Sequence, residues 1–141
     1  MKKDYDFELL VNNIEIMVKF YRDFLGCKTS WNGETKAVLD LLNHNLILYS
    51  VNDFDINILK NNTSKSLSCV WEVGTMKICS NLNTYDEVDK EYERLIDLGV
   101  KSVNPPTTRR WINCSGEQSE QRECIISDPE GNQIEIVAYH L

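Results

Sequence analysis

The sequence predicts an α+β fold made of two similar βαβββ modules in one domain. Three observations carry this expectation. An amphipathic helix pattern closed by glycine and a nearby lysine recurs after about 73 residues. Strand patterns surround each copy, and a polar stretch with little apolar content separates the halves. Two copies are too few for a solenoid and suggest one domain of two units, each laying one helix on one face of its sheet. Module one is expected at about 5–51, a linker at about 52–72 and module two at about 73–141.

Residues 6–11 largely alternate polar and apolar, which suits a half-buried strand with Phe7, Leu9 and Val11 on one face. Asn12 followed by Glu15 reads as a capping box. Ile14, Met17, Val18, Tyr21, Phe24 and Leu25 then form one helical stripe, with Gly26 as its C-cap. Asn32-Gly33 predicts a type I′ hairpin, because both central residues of that turn need positive φ. Apolar runs at 37–42 and 46–51 flank Asn43-His44-Asn45, expected to be a second hairpin turn.

In the second half, residues 76–82 read as a strand and Thr84 with Glu87 as a capping box. Val88, Tyr92, Leu95 and Ile96 share the face of a helix that Gly99 ends. The segment 104–121, with two prolines and many polar residues, is expected to be a long loop of the functional-lid kind. Strands at 122–127 and 133–139 flank the turn Asp128-Pro129-Glu130-Gly131-Asn132.

At 141 residues the chain can bury a sizeable core, and 42% hydrophobic with 26% charged residues excludes disordered and fibrous classes. A net charge of −7 without a long basic run argues against nucleic-acid and anionic-membrane partners. Neutral or cationic small molecules fit that sign better. Five cysteines with no C-x-x-C spacing signal neither a disulfide framework nor a zinc knuckle, so reduced thiols in the cytoplasm are expected. No run of 18 apolar residues and no apolar leader segment is present, so neither export nor membrane insertion is expected.

Two segments then stand out. Phe20-Tyr21-x-x-x-Leu25-Gly26 ends the first helix, and Asp128-Pro129-Glu130-Gly131-Asn132-Gln133-Ile134-Glu135-Ile136 spans the last turn and strand. Together they resemble the F-Y-x-x-x-L-G and D-P-[DE]-G-N-x-I-E-[LIV] motifs of the glyoxalase/bleomycin-resistance (vicinal oxygen chelate) superfamily. The resemblance covers nearly the whole chain. It implies paired modules forming a curved mixed sheet around a small-molecule cleft. The family includes glyoxalase-type lyases and isomerases, extradiol dioxygenases, metal-dependent thiol transferases and metal-free drug-sequestering proteins, so fold does not settle chemistry. Relatives are often dimers, and a homodimer is expected, with residues 104–121 reaching across to border the partner's cleft.

In metal-using relatives the ligands lie on the first and last strands of each module, which the resemblance places at Asp6, near Leu48, near Ser80 and at Glu135. Glu135 matches the family's C-terminal ligand, and Asp6 falls where His is common. Residues 46–51 hold no His, Asp, Glu or Cys, and 76–82 hold only Cys79, whose soft thiolate suits zinc and not magnesium or manganese. No resident cofactor is therefore expected; a divalent metal, if held, would use Asp6 and Glu135. His44 and His140 read as solvated side chains.

Strand alternation puts Asp6, Glu8 and Leu10 opposite the helix-facing residues of the first strand, and Glu135 opposite Ile134 and Ile136 on the last. Crowded carboxylates raise at least one pKa, making a general base or an attractor of cations. Trp111 falls where many relatives carry a tryptophan near the pocket mouth. Arg109, Arg110 and Arg122 either bind a ligand carboxylate or phosphate or pair with the excess acids. The expected ligand contacts are Asp6, Glu8, Tyr49, Arg109, Trp111, Arg122 and Glu135, with Glu135 the candidate catalytic group. Metal-independent binding or sequestration of a small molecule is the leading expectation. A metal-dependent lyase, isomerase or dioxygenase-type enzyme and an interaction module with an occluded pocket are the alternatives.

Overall fold

The computed structural model describes residues 6–31, 33, 35–41, 44–51, 69–70 and 73–140, with Asp6, His44, Cys69 and Val70 described by backbone alone. Asn32, Asn43, Trp71 and most of the expected linker lie outside the described residues. The chain runs β1 (Asp6–Val11), α1 (Ile14–Lys19), a π-helical turn (Phe20–Phe24), β2 (Lys28–Trp31), β3 (Lys36–Leu41), β4 (His44–Ser50) and β5 (Cys69–Val70). It continues through β6 (Lys77–Asn81), α2 (Tyr85–Asp97), β7 (Lys101–Ile112), β8 (Gln118–Ser127) and β9 (Gln133–His140).

The α+β fold of paired βαβββ modules is present, and both modules repeat one topology. One sheet has the order β2-β3-β4-β1-β5 and the other β6-β9-β8-β7. In the first, β1 pairs in parallel with both β4 and β5; in the second, β6 pairs in parallel with β9; the other pairs are antiparallel. Two compact units result, Met1–Met76 with Pro129–Asn132, and Lys77–Asp128 with Gln133–Leu141.

In the first unit Phe7, Leu9 and Val11 of β1 are buried, as are Ala37 and Leu39 of β3 and Leu46 and Leu48 of β4. Helix α1 packs on β3 and β4 through Ile14, Met17 and Val18. Its start differs from the expected capping box by one residue. Asn13 is the N-cap, its side chain accepting from Ile16 N at 3.1 Å. With the cap there, the N3 position is the apolar Ile16 and not Glu15. Glu130 supplies the carboxylate instead, accepting from Asn12 N at 2.7 Å and Asn13 N at 2.8 Å. Glu15 pairs with Lys19 at 3.0 Å on the exposed side of the helix.

The expected stripe through Phe24 and Leu25 is also interrupted. After Lys19 the helix widens into the π-helical turn, where the consecutive residues Phe20 and Tyr21 are both buried. Phe20 meets Tyr21 edge-on at 5.1 Å between ring centroids and Phe24 at 5.6 Å. Cys27 N donates to Tyr21 O at 3.0 Å, and Gly26 adopts φ 71. Across the β3–β4 hairpin Leu41 pairs with His44, so His44 begins β4 and does not lie in the turn.

In the second unit Thr84 caps α2, accepting from Glu87 N at 3.1 Å, and Val88 and Leu95 are buried against the sheet. The expected loop at 104–121 is instead most of a two-stranded ribbon. Strands β7 and β8 pair from Lys101↔Ser127 to Ile112↔Gln118, and only residues 113–117 turn. Pro105 and Pro106 fall inside a register shift between Asn104 and Thr107, where no ladder N–H is required of them. Asn113 Oδ1 closes the turn by accepting from Ser115 N and Glu117 N, each at 3.0 Å.

Pro129–Asn132 make further contacts within the first unit, to which they belong. Buried Asn132 accepts from Met76 N at 3.0 Å through Oδ1. Gly74, at φ 80, lies so close to the Glu130 carbonyl that a Cβ would clash.

Glu130→Ala removes both acceptors from the start of α1 and is expected to destabilise the protein by about 2–3 kcal/mol. Glu15→Ala removes only an exposed ion pair and should cost under about 1 kcal/mol. Gly74→Ala combines positive φ with the clash and should cost more than about 1 kcal/mol. Urea unfolding midpoints check all three, and equal losses for Glu130→Ala and Glu15→Ala would remove the capping role of Glu130.

Candidate functional site

Strand register in the second unit decides which side chains meet. Arg122 donates from Nε to Asp89 of α2 at 2.7 Å, so its face of β8 is the helix-covered one. Cys124 and Ile126 share that face by alternation, and their partners Ile136 and Ile134 join them on β9. All four are buried. The opposite face therefore carries Gln121 and Glu123 of β8, Glu135 and Tyr139 of β9, Cys79 of β6 and Arg109 of β7.

On this face Ile125 pairs with Glu135 and Glu123 with Val137, which makes Glu123 and Glu135 a diagonal cross-strand pair. Their side chains are only 5% and 15% exposed. Burial of two carboxyl groups side by side cannot leave both freely ionised. Burial, then the hydrogen bond to Glu135, pushes Glu123 above the usual carboxylate range. The hydrogen bond from Glu123, with help from the Lys77 ammonium, holds Glu135 below it. Each shifts the other, so the pair titrates as a unit.

Neighbouring groups fix that arrangement. Arg109 Nε pairs with Glu123 Oε1, Gln121 Nε2 donates to Glu123 Oε2 at 3.1 Å, and Lys77 Nζ lies 3.5 Å from Glu135 Oε2. Cys79, opposite Glu135 in register, has its thiol pushed up by burial and then by the Glu135 charge. Beside the cluster opens a pocket of about 240 Å³ lined by Arg109, Arg110, Trp111 and Gln121.

The structure thus gathers Glu135, Arg109 and Trp111 in one unit. Arg122 lies on the other face, held by Asp89 and by Thr108 Oγ1 at 2.9 Å, because its even position on β8 turns it toward α2. Glu8 and Tyr49 belong to the first unit, on the face of β1 and β4 away from α1, where Lys36 Nζ stands 5.6 Å from the Tyr49 ring centroid. The Asp6 side chain lies outside the described residues. Glu123, Gln121 and Lys77 are additions. Their signal was the hairpin itself, since the register across the Asp128–Asn132 turn puts Glu123 diagonal to Glu135.

The donor set at the family's metal positions fits a cation poorly. Leu48 is fully buried, and its neighbours Ile47 and Tyr49 offer no strong ligand. Among the described residues no group of three or more His, Cys, Asp or Glu side chains converges as a metal site. Glu135 lies 3.5 Å from an ammonium and diagonal to Glu123, and burial shifts the Cys79 thiol away from thiolate.

Similarity to known proteins agrees with this architecture. The chain is 31% identical over 140 residues to "Uncharacterized protein YraH" of Bacillus subtilis (strain 168), covering 91% of each chain. A virulence protein of Salmonella typhimurium is similar in fold, with a TM-score of 0.71 and 20% identity over 99% of this chain and 98% of that one. A lactoylglutathione lyase of Agrobacterium tumefaciens gives 0.65 and 19% identity over 98% of this chain and 94% of that one. The family model for the Glyoxalase/Bleomycin resistance protein/Dioxygenase superfamily matches residues 6–136. With that match over nearly the whole chain, on a twice-repeated βαβββ topology, the protein belongs to the Glyoxalase/Bleomycin resistance protein/Dioxygenase superfamily.

Proposed function

We propose that this superfamily member binds or sequesters a small molecule without a resident metal. The observation that carries the reading is the surroundings of Glu135. The one carboxylate matching the family's ligand motif is largely buried, diagonal to Glu123 and 3.5 Å from the Lys77 ammonium, near a pocket whose lining holds no carboxylate. A pocket walled by an exposed indole and a few directed polar groups is suited to holding a small ligand.

A tight divalent metal would raise stability by about 2.7 kcal/mol at a hundredfold excess over its Kd, or roughly 5–10 °C in Tm for a chain of this size. The expected outcome is no such shift with zinc, nickel, manganese or magnesium, and no stoichiometric metal in native mass spectra. A bound metal with a matching rise in Tm would move the family's metal-dependent lyase or dioxygenase chemistry ahead.

The carboxyl pair gives a separate check. Glu123 is raised above its ordinary 4.5, so its contribution to stability is full below about 4.5 and is lost as pH rises through its folded pKa. Glu135 is lowered, so its contribution is present above 4.5 and is lost as pH falls through its folded pKa. Glu123→Gln keeps a neutral donor beside Glu135 at every pH. Its stability relative to the natural protein should therefore improve steadily as pH rises from about 4.5 toward neutrality. A pH-independent difference in urea midpoints would dissolve the shared-proton account.

A homodimer completes the reading. It is supported by the apolar residues exposed on the β7–β8 ribbon, Ile112 at 67% and Val103 at 44%, which are costly to leave in water. Light scattering should report twice the 16.4 kDa chain mass, and Ile112→Ser should weaken the assembly. A monomer at all micromolar concentrations would exclude it.

A further inference from the structure

We propose that β7 carries a slot for a planar aromatic ring with an electron-rich face, held between the Arg109 guanidinium and the Trp111 indole. This rests on the small-molecule reading above and adds the ligand class. Arg109 and Trp111 pair with Gln121 and Ser119 of β8, so both rise from the face of the sheet opposite α2. Arg110 lies between them in sequence and turns to the other face, where it meets Glu120 and, through it, Tyr85 of α2. This stretch of β7 and Gln121 border the pocket of about 240 Å³.

Spacing makes the pair a slot. From Thr107 to Ile112 the strand pairs with β8 without a register shift, so the dimensions of a regular strand apply. Side chains two residues apart on one face stand about 6.5–7 Å apart. A flat ring lying between two flat groups needs two contacts of about 3.5 Å each, which is the same distance. A puckered saturated ring of equal size is too thick to lie there.

The anchor on Arg109 keeps the slot open. Its Nε pairs with Glu123 Oε1, and Glu123 stands opposite Thr107, on the side of Arg109 away from Trp111. Glu123 is itself buried and held by Gln121 Nε2 at 3.1 Å. The ion pair therefore draws the guanidinium away from the indole, against the attraction of a cation for a π face. Hydrogen bonds to a guanidinium run in its plane, so an anchor at Nε does not cover its faces. Across the ladder from Trp111 stands the small Ser119, and the indole is 41% exposed. An indole wall rewards any flat ring, whereas a guanidinium wall rewards one whose face is rich in electrons and disfavours a cationic one. A volume of about 240 Å³ falls short of the roughly 300–1,000 Å³ of drug-sized sites, which restricts the ligand to one or two fused rings.

The test is calorimetric titration of the full chain with 2-naphthol, with its saturated counterpart decahydro-2-naphthol and with the flat cation N-methylquinolinium. Burial of apolar area alone would give the saturated compound equal or higher affinity. 2-Naphthol should instead bind about fivefold tighter or better than either, in line with the strength of stacking and cation–π contacts. Trp111→Leu, which keeps an apolar side chain and removes the π face, should erase the preference over decahydro-2-naphthol, and Trp111→Phe should retain most of it. Arg109→Gln alone would strand buried Glu123, so the neutral pair Arg109→Gln with Glu123→Gln carries the other arm and should narrow the gap between 2-naphthol and N-methylquinolinium. Equal affinity for 2-naphthol and its saturated counterpart overturns the slot and leaves a small-molecule pocket standing. A preference for the flat ring that survives Trp111→Leu overturns the indole wall, and a cation that binds as tightly as 2-naphthol overturns the guanidinium wall. Failure of all three probes to bind overturns the pocket along with the slot.

Discussion

The register of the β8–β9 hairpin across Asp128-Pro129-Glu130-Gly131-Asn132 is the constraint on which the site depends. Because side chains alternate faces with a period of two, a slip of one residue would turn Glu123 and Glu135 toward α2 and bring Cys124 and Ile136 out of the core. Ile126 and Ile134, both buried, make that slip prohibitive. Pro129–Asn132 of this turn belong to the first unit. Within it Glu130 takes two backbone N–H groups at the start of α1, and Asn132 takes Met76 N. These bonds give the family motif a physical cause at Glu130 and Asn132.

Given the register, electrostatics follows. Two carboxyl groups placed diagonally on one face and largely buried would repel if both ionised. Here Glu123 is shifted upward and Glu135 downward, while Arg109 and Lys77 approach from the strands at either side. The solution is self-contained. Glu135 has its counter-ion, Lys77, within the sheet.

Much of this was legible in the sequence, and the failures have identifiable causes. The glycine-terminated helices, the strand faces and the closing hairpin follow from periodicity, because burial on one face imposes it directly. The π-helical turn was not visible, since Phe20 and Tyr21 in succession break a 3.6-residue stripe only when tertiary packing rewards burying both. Nor could local sequence reveal that the cap carboxylate of α1 comes from Glu130, 118 residues beyond Asn12. The ribbon at 104–121 reads as a loop because two prolines and many polar side chains weigh against a strand, and a bulge that shelters prolines leaves no simple signature. Without that ladder, the sequence does not show Gln121 as the cross-strand partner of Arg109.

The two modules share their topology yet not their chemistry, and strand alternation explains how both hold at once. In each module the helix-facing positions are apolar: Leu9, Leu39 and Leu48 in one, Ile78, Ile126 and Ile134 in the other, all fully or nearly fully buried. Those positions set the fold and must be kept in both copies. The opposite positions are under no such demand. In module one they set Glu8, Lys36 and Asp40 among Leu10, Val38, Ile47 and Tyr49. In module two the corresponding face holds Lys77, Gln121, Glu123, Glu135 and Arg109, with two carboxyl groups adjacent. A repeated scaffold can thus lose ligating groups from one copy and build a braced carboxyl pair on the other without disturbing the core of either. That freedom separates the family's fold from any single chemistry.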